Sequence, residues 1–279
     1  MRFSANGDYL VSGGNGGVRV WRVEDGQRMA TIPTGSSTVY PLAVSNDGRS
    51  IAAGTIMGEV YVWDAKTYEE LFKYRKDTNS VTGVDFSPDS KRLVSGSTNG
   101  KVIIWDVATW RQVQTLRPGA VWATKYSPQG DRIAIARGGG SVHVYDSDDG
   151  RLLVNIQVAV TPYYNSGLLW FNNHLLAISD NKIKEFDTST GSAVSEWSVP
   201  ENNIQSCISQ PKHGEFVAYS TLNTVTFWNT STHTQLGVIQ RAQDIYSIAV
   251  SRDDRFIAIG GVGKKIIIES LSRINVSAL

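Results

Sequence analysis

The stretch Val81–Asp106, VTGVDFSPDSKRLVSGSTNGKVIIWD, constrains the fold more than any other part of the chain. Apolar and polar residues alternate over Val81–Phe86 and again over Arg92–Gly96, and a third run, Val102–Trp105, closes the stretch. Between the runs stand Ser87-Pro88-Asp89-Ser90 and Thr98-Asn99-Gly100. Pro and Asn-Gly favour the dihedrals of tight turns, so the stretch reads as an antiparallel meander. A lone meander leaves a face unburied and needs copies of itself to pack against. The chain supplies them. Aligned on Trp105, equivalent positions fall at Trp21, Trp63, Tyr145, Phe186, Trp228 and Glu269, in successive steps of 42, 42, 40, 41, 42 and 41 residues. The aromatic is followed by an acid in Trp63-Asp64, Trp105-Asp106, Tyr145-Asp146 and Phe186-Asp187, and by an amide in Trp228-Asn229.

A period of roughly 40–45 residues ending in an aromatic-Asp pair marks a propeller blade. On these residues the chain resembles the WD-repeat family of β-propellers over nearly all of its length. The resemblance implies an all-β fold, a seven-bladed β-propeller of four-stranded antiparallel blades with about 27 strands, and residues 1–279 forming one domain. In blade one only Met1–Ser4 remains for the inner strand, followed by strands at Tyr9–Gly13, Val18–Trp21 and Arg28–Ile32. Blades two, three and four are expected over Val39–Tyr74, Val81–Leu116 and Val121–Ile156. Blade five is the least regular, with a long leading loop at Val160–Asn165, a turn at Asn172-Asn173-His174 and a third strand at Ile183–Phe186. Blade six is expected over Ile204–Ile239, and blade seven from Ile245 with Arg273–Ala278 as its outer strand. The clipped first strand suggests a piece of a longer protein or an altered start.

Composition fits this reading and narrows the function classes. Twenty-six glycines suit a turn-rich fold, and a formal charge of +1 gives no field to steer the molecule to nucleic acid or membrane. Cys207 is the single cysteine, so no intrachain disulfide can form. No apolar run reaches membrane-spanning length and no leader-like core opens the chain. The expectation is a monomeric disc in the cytoplasm or nucleus, without a cofactor.

No constellation of catalytic residues stands out. His143, His174, His213 and His233 are scattered over different repeats, the first on a strand and the others in turns, with no spacing that converges on a metal. The sequence carries no nucleophile elbow. The glycine-rich stretches Gly13–Gly17 and Gly138–Gly140 lack the Gly-Lys-Ser/Thr ending of a phosphate loop and fall where the repeat requires a hairpin. The family resemblance implies a Trp, Ser/Thr, Asp and His tetrad in each blade. Trp105 with Ser95 and Trp21 with Ser12 match part of it, but Asn99, Met57, Gly139 and Asn223 fill Asp positions, and no Gly-His dipeptide precedes an inner strand. Apolar packing is therefore expected to carry most of the stability, with Ser95→Ala costing about 1 kcal/mol or less. Glu269, standing where other repeats have an aromatic, must be exposed or paired.

Two features point to a binding surface on one face, the end that carries the outer-to-inner connections and the turns between second and third strands. Arg75, Lys76, Arg117, Arg137, Lys182, Arg241, Lys264 and Lys265 outnumber Asp77, Asp180, Glu201 and Asp244 there. The second feature is a break in spacing. Val81, Val84 and Phe86 step by three and then two, as do Val39, Leu42, Val44 and Ile245, Ile248, Val250. Strict alternation steps by two, so a one-residue bulge is expected near the start of each inner strand. The residue it frees is Tyr40, Thr82, Trp122 or Tyr246, with Tyr163, Tyr164 and Arg137 nearby. Large rings beside an arginine are the residue types of binding hot spots. These residues are expected to rim the channel mouth and anchor a protein or peptide segment, which makes the chain a non-enzymatic interaction scaffold. Nucleic acid is not expected, because no aromatic-interleaved basic motif is present. Two alternatives stay open on the sequence: the ligand-sensing C-terminal propeller of a larger signalling protein that contains an NTPase, and a binder of small ligands or glycans.

Overall fold

Serines just after the inner strands close the first turn in five of the blades. The Ser87 hydroxyl accepts a hydrogen bond from the Arg92 amide at 2.9 Å, closing the turn between first and second strands of blade three. Ser4, Ser45, Ser127 and Ser251 accept the equivalent bond from the amide five residues on, at 2.9–3.0 Å. The Asp of the aromatic-Asp pair closes the next sharp turn. Asp64 Oδ1 accepts from the Lys66 and Thr67 amides at 2.8 and 2.7 Å, and Asp146 Oδ1 from Asp148 and Asp149 at 2.9 and 3.1 Å. Asn229 does the same without a charge. These bonds to backbone amides hold the Asp64 and Asp146 carboxyls below their ordinary pKa. At the tip of blade one's hairpin Gly17 sits at φ 127°, and a Cβ there would lie 2.1 Å from the Ile32 carbonyl oxygen. Only glycine fits.

The computed structural model describes all residues except 36, 76–78, 159–166, 180–181, 199–206, 210–214, 263–264 and 275–279. Its strands form seven antiparallel sheets, six of four strands and one of three, each built from consecutive strands. Blade three runs Val81–Phe86, Arg92–Ser97, Val102–Asp106 and Gln112–Leu116. The inner strand of blade one is Arg2–Phe3, paired only through Arg2 with Val11 and Phe3 with Leu10. The fold is thus a seven-bladed β-propeller, as the repeat predicts.

The core lies between blades, not within them. One cluster joins Val11, Val18 and Ile32 of blade one to Leu42, Ile51 and Trp63 of blade two. Similar clusters join every following pair. The last sets Phe3, Leu10 and Val23 against Ala249 and Ala258, closing the ring between blades seven and one. Closure buries both faces of each sheet, which a single meander cannot do.

Two expectations are corrected. Arg273 and Ile274 do not begin an outer strand; Leu271–Ile274 is a 3-10 turn, and 275–279 lie outside the described residues. Leu271 explains the turn, since its buried side chain plugs the cluster between blades six and seven that contains Phe227 and Ile239. His174 is not in a turn but opens the strand His174–Ser179. Asn172, at φ 52°, tightens the hairpin enough to release it.

Candidate functional site

Bulges occur at the start of the inner strands where the spacing places them. In blade three Val81 pairs with Ser97 and Gly83 with Gly96, leaving Thr82 unpaired in register. Trp122 is skipped in the same way between Val121 and Ala123, and Tyr246 between Ile245 and Ser247. In blade two Tyr40 and Pro41 together oppose Gly54. One extra residue turns the local backbone and re-aims a side chain.

The freed side chains have different fates. Tyr246 is 56% exposed. Tyr40 is half-buried. Trp122 is also half-buried, packed against the cluster shared by blades four and five, with its indole nitrogen lying over Gly138. Thr82 turns inward: its hydroxyl donates to the Val121 carbonyl at 2.6 Å and clasps blade three to blade four. Pro41 and Thr82 are part of the channel wall, whereas Tyr40, Trp122 and Tyr246 are not, so the three rings do not line the channel. Tyr164, with Tyr163, lies outside the described residues.

Arg137 is engaged within its own blade. Its Nη1 donates to the Ser141 hydroxyl at 3.3 Å and lies 2.9 Å from His143 Nε2. A guanidinium can only donate, so Nε2 must accept, and the proton sits on Nδ1, 3.2 Å from the Tyr145 hydroxyl. Burial, then the Arg137 charge, push the His143 pKa down and keep the imidazole neutral. The chain Arg137–His143–Tyr145 stands in blade four where the family resemblance implies a Trp-centred tetrad. Sequence reasoning missed it; the signal was a His two residues before a Tyr that replaces the Trp. In blades three and one the indoles of Trp105 and Trp21 each donate to Ser95 and Ser12 at 2.9 Å.

Three cations of the basic rim are paired with acids outside the connections considered from sequence. Arg75 lies 3.9 Å from Glu59, Lys182 2.5 Å from Glu196 and Arg241 2.5 Å from Glu269. Glu269 is therefore paired. Lys76, Lys264, Asp77, Asp180 and Glu201 lie outside the described residues. One cluster superficially resembles a hydrolase triad: His174 Nδ1 and the Ser195 hydroxyl both contact Glu185, each at 2.5 Å. A nucleophile must bond to its base, and here both bond to the carboxylate, so the cluster is a lock in blade five.

Comparison with known proteins agrees with the architecture. A family model described as the first β-propeller of IFT122 matches residues 1–270. A search of curated proteins found no match. The β-propeller domain of Cps50 (Swd1) from Myceliophteria thermophila superposes with a TM-score of 0.83 at 19% identity, covering 96% of this chain and 95% of that one. A chain in a crystal structure of the mitotic checkpoint complex gives 0.83 at 18% identity, covering 96% of this chain and 85% of that one. At such identity both speak to the fold alone.

Proposed function

The chain belongs to the family of the first β-propeller of IFT122, and from that premise we propose that this WD40-type propeller is a non-enzymatic scaffold whose bulged end grips an extended protein segment. The observation that carries this reading is Tyr246, 56% exposed on a rigid strand at the bulge position it shares with Tyr40 and Trp122. A large ring held on a strand loses little freedom on binding and brings much apolar area, which is why such residues dominate interfaces. Thr82 and Arg137 support the site from inside, through the bonds that fix the bulge of blade three and the hairpin of blade four.

Affinity capture with the intact protein and with the Trp122→Ala/Tyr246→Ala variant, followed by direct titration of the captured protein, tests the reading. Folding should change by about 1 kcal/mol or less for the exposed Tyr246→Ala alone, and binding of the partner segment should weaken by about 2 kcal/mol or more for the double variant. A double variant that binds as tightly as the intact protein overturns the proposal.

A further inference from the structure

The central channel holds an unbalanced charge at the end opposite the bulges. Inner strands of all seven blades enclose a cavity of about 480 Å³. The charged residues on its wall are Arg2, Lys125 and Arg252 against Asp85 alone, so three positive charges and one negative leave a net of +2. Asp85 and Lys125 are the penultimate residues of their inner strands, and Arg252 lies in the first turn of blade seven.

Asp85 cannot serve all three cations. Its Oδ1 accepts from Lys125 Nζ at 3.2 Å and its Oδ2 from the Tyr126 amide of the next blade at 3.0 Å. The second bond is a structural clasp: in blade six the Ser209 hydroxyl accepts the Val250 amide of blade seven in the same way, at 2.9 Å. Arg2 donates from Nε to the Leu42 carbonyl at 3.3 Å, and Arg252 donates to the Asn46 side-chain oxygen. Both acceptors are neutral. Among the described residues no carboxylate pairs with either guanidinium, and each fork retains further donors. Desolvation, then the charge of Arg2, push the Lys125 pKa down against the pull of Asp85. Like charges collected in a concave, partly dry channel repel one another and focus a positive potential that attracts anions.

We infer that this end of the channel is an anion site, formed by Arg2, Lys125 and Arg252, that takes a small phosphorylated molecule. Two guanidinium forks match the tetrahedral oxygens of phosphate better than a single point charge does. A phosphate group's charge of about −2 offsets the surplus, and the cavity is of the size that holds a small molecule. The site is separate from the bulged end and does not depend on the reading given for it.

Calorimetric titration of the full chain with pyrophosphate at about 0.15 M salt tests the inference, with citrate and a glutamate-rich peptide as comparison probes. Saturable one-to-one binding of pyrophosphate is expected, with citrate and the peptide weaker. Arg252→Gln, which keeps an amide donor for the Asn46 oxygen, and Arg2→Gln should each weaken binding about ten-fold or more, the factor carried by one charge-assisted hydrogen bond. Lys265→Gln on the opposite rim and Trp122→Ala should leave it unchanged. Absence of saturable binding, equal affinity for citrate or the peptide, or full affinity in Arg252→Gln each overturns the inference. Circular dichroism of Arg2→Gln separates loss of the site from loss of the ring.

Discussion

Ser95→Ala is the sharpest test of how the blades are held, because the structure changes the magnitude expected from sequence. Counting missing tetrad partners gives about 1 kcal/mol or less. Ser95 is 5% exposed and Trp105 3%, and the indole Nε1 donates to Oγ at 2.9 Å. Removing the oxygen leaves a buried N–H without its acceptor, a loss of about 1–3 kcal/mol. The neighbouring cavity of about 20 Å³ has room for one water, which sets the low end of that range. Blade one provides the control. Trp21 donates to Ser12 over the same 2.9 Å, but Trp21 is only half-buried, so water can replace the hydroxyl. Ser12→Ala should therefore cost clearly less than Ser95→Ala in urea unfolding. In a Trp105→Phe background, where no donor is left to strand, Ser95→Ala should cost less than in the native protein, so the double variant should lose less than the sum of the two single losses. Equal costs for the two serines, or strict additivity in the cycle, would refute the burial argument.

Arg137→Gln removes the charge facing His143 and should raise the imidazole pKa, read by nitrogen-15 chemical shifts. In the native protein the folded value lies below the ordinary 6.5; as pH falls through that window the unfolded chain takes up a proton before the folded one does. Stability should thus decline from about pH 6.5 downward, and more shallowly in Arg137→Gln; an identical profile would show that His143 is not the group involved. Gly17→Ala, at φ 127° and 2.1 Å from a backbone oxygen, should cost about 2 kcal/mol or more in urea unfolding, whereas a near-neutral result would mean the hairpin can re-form. Amide exchange should be fastest in blade one, whose inner strand pairs through two residues; slower exchange there than in blade three would contradict this.

Fold was legible because turn chemistry recurs at a fixed period. Ser87 and Asp106 act through local hydrogen bonds to amides within five residues, so their effect is written in neighbouring sequence. The inner-strand bulges were legible for a related reason: an extra residue shifts the apolar register, and Val81, Val84 and Phe86 record the shift. A second bulge was not. The aromatic at the end of the third strand sits at a register shift against the outer strand in blades one to six. Outer strands are the most exposed, as the pattern of Glu70–Arg75 shows, and without a buried face they carry no apolar period to break.

What the sequence could not settle is where a freed side chain goes. Thr82 and Tyr246 share one register position, yet one turns inward to a carbonyl of the next blade and the other is 56% exposed. The bulge decides only that a side chain is re-aimed; its neighbour in the following blade decides the direction. Blade four offers blade three the Val121 carbonyl at hydrogen-bond distance, and a hydroxyl short enough to take it does so. A tyrosine at position 82 would place its polar atom too far from its own backbone to make that bond. Thr82→Tyr should therefore break the clasp and destabilise the protein by about 1–2 kcal/mol, while adding a ring beside the proposed partner site. Should stability be unchanged, the hydroxyl–carbonyl bond would not be what draws Thr82 inward, and exposure at this position would have to be set by the bulge itself.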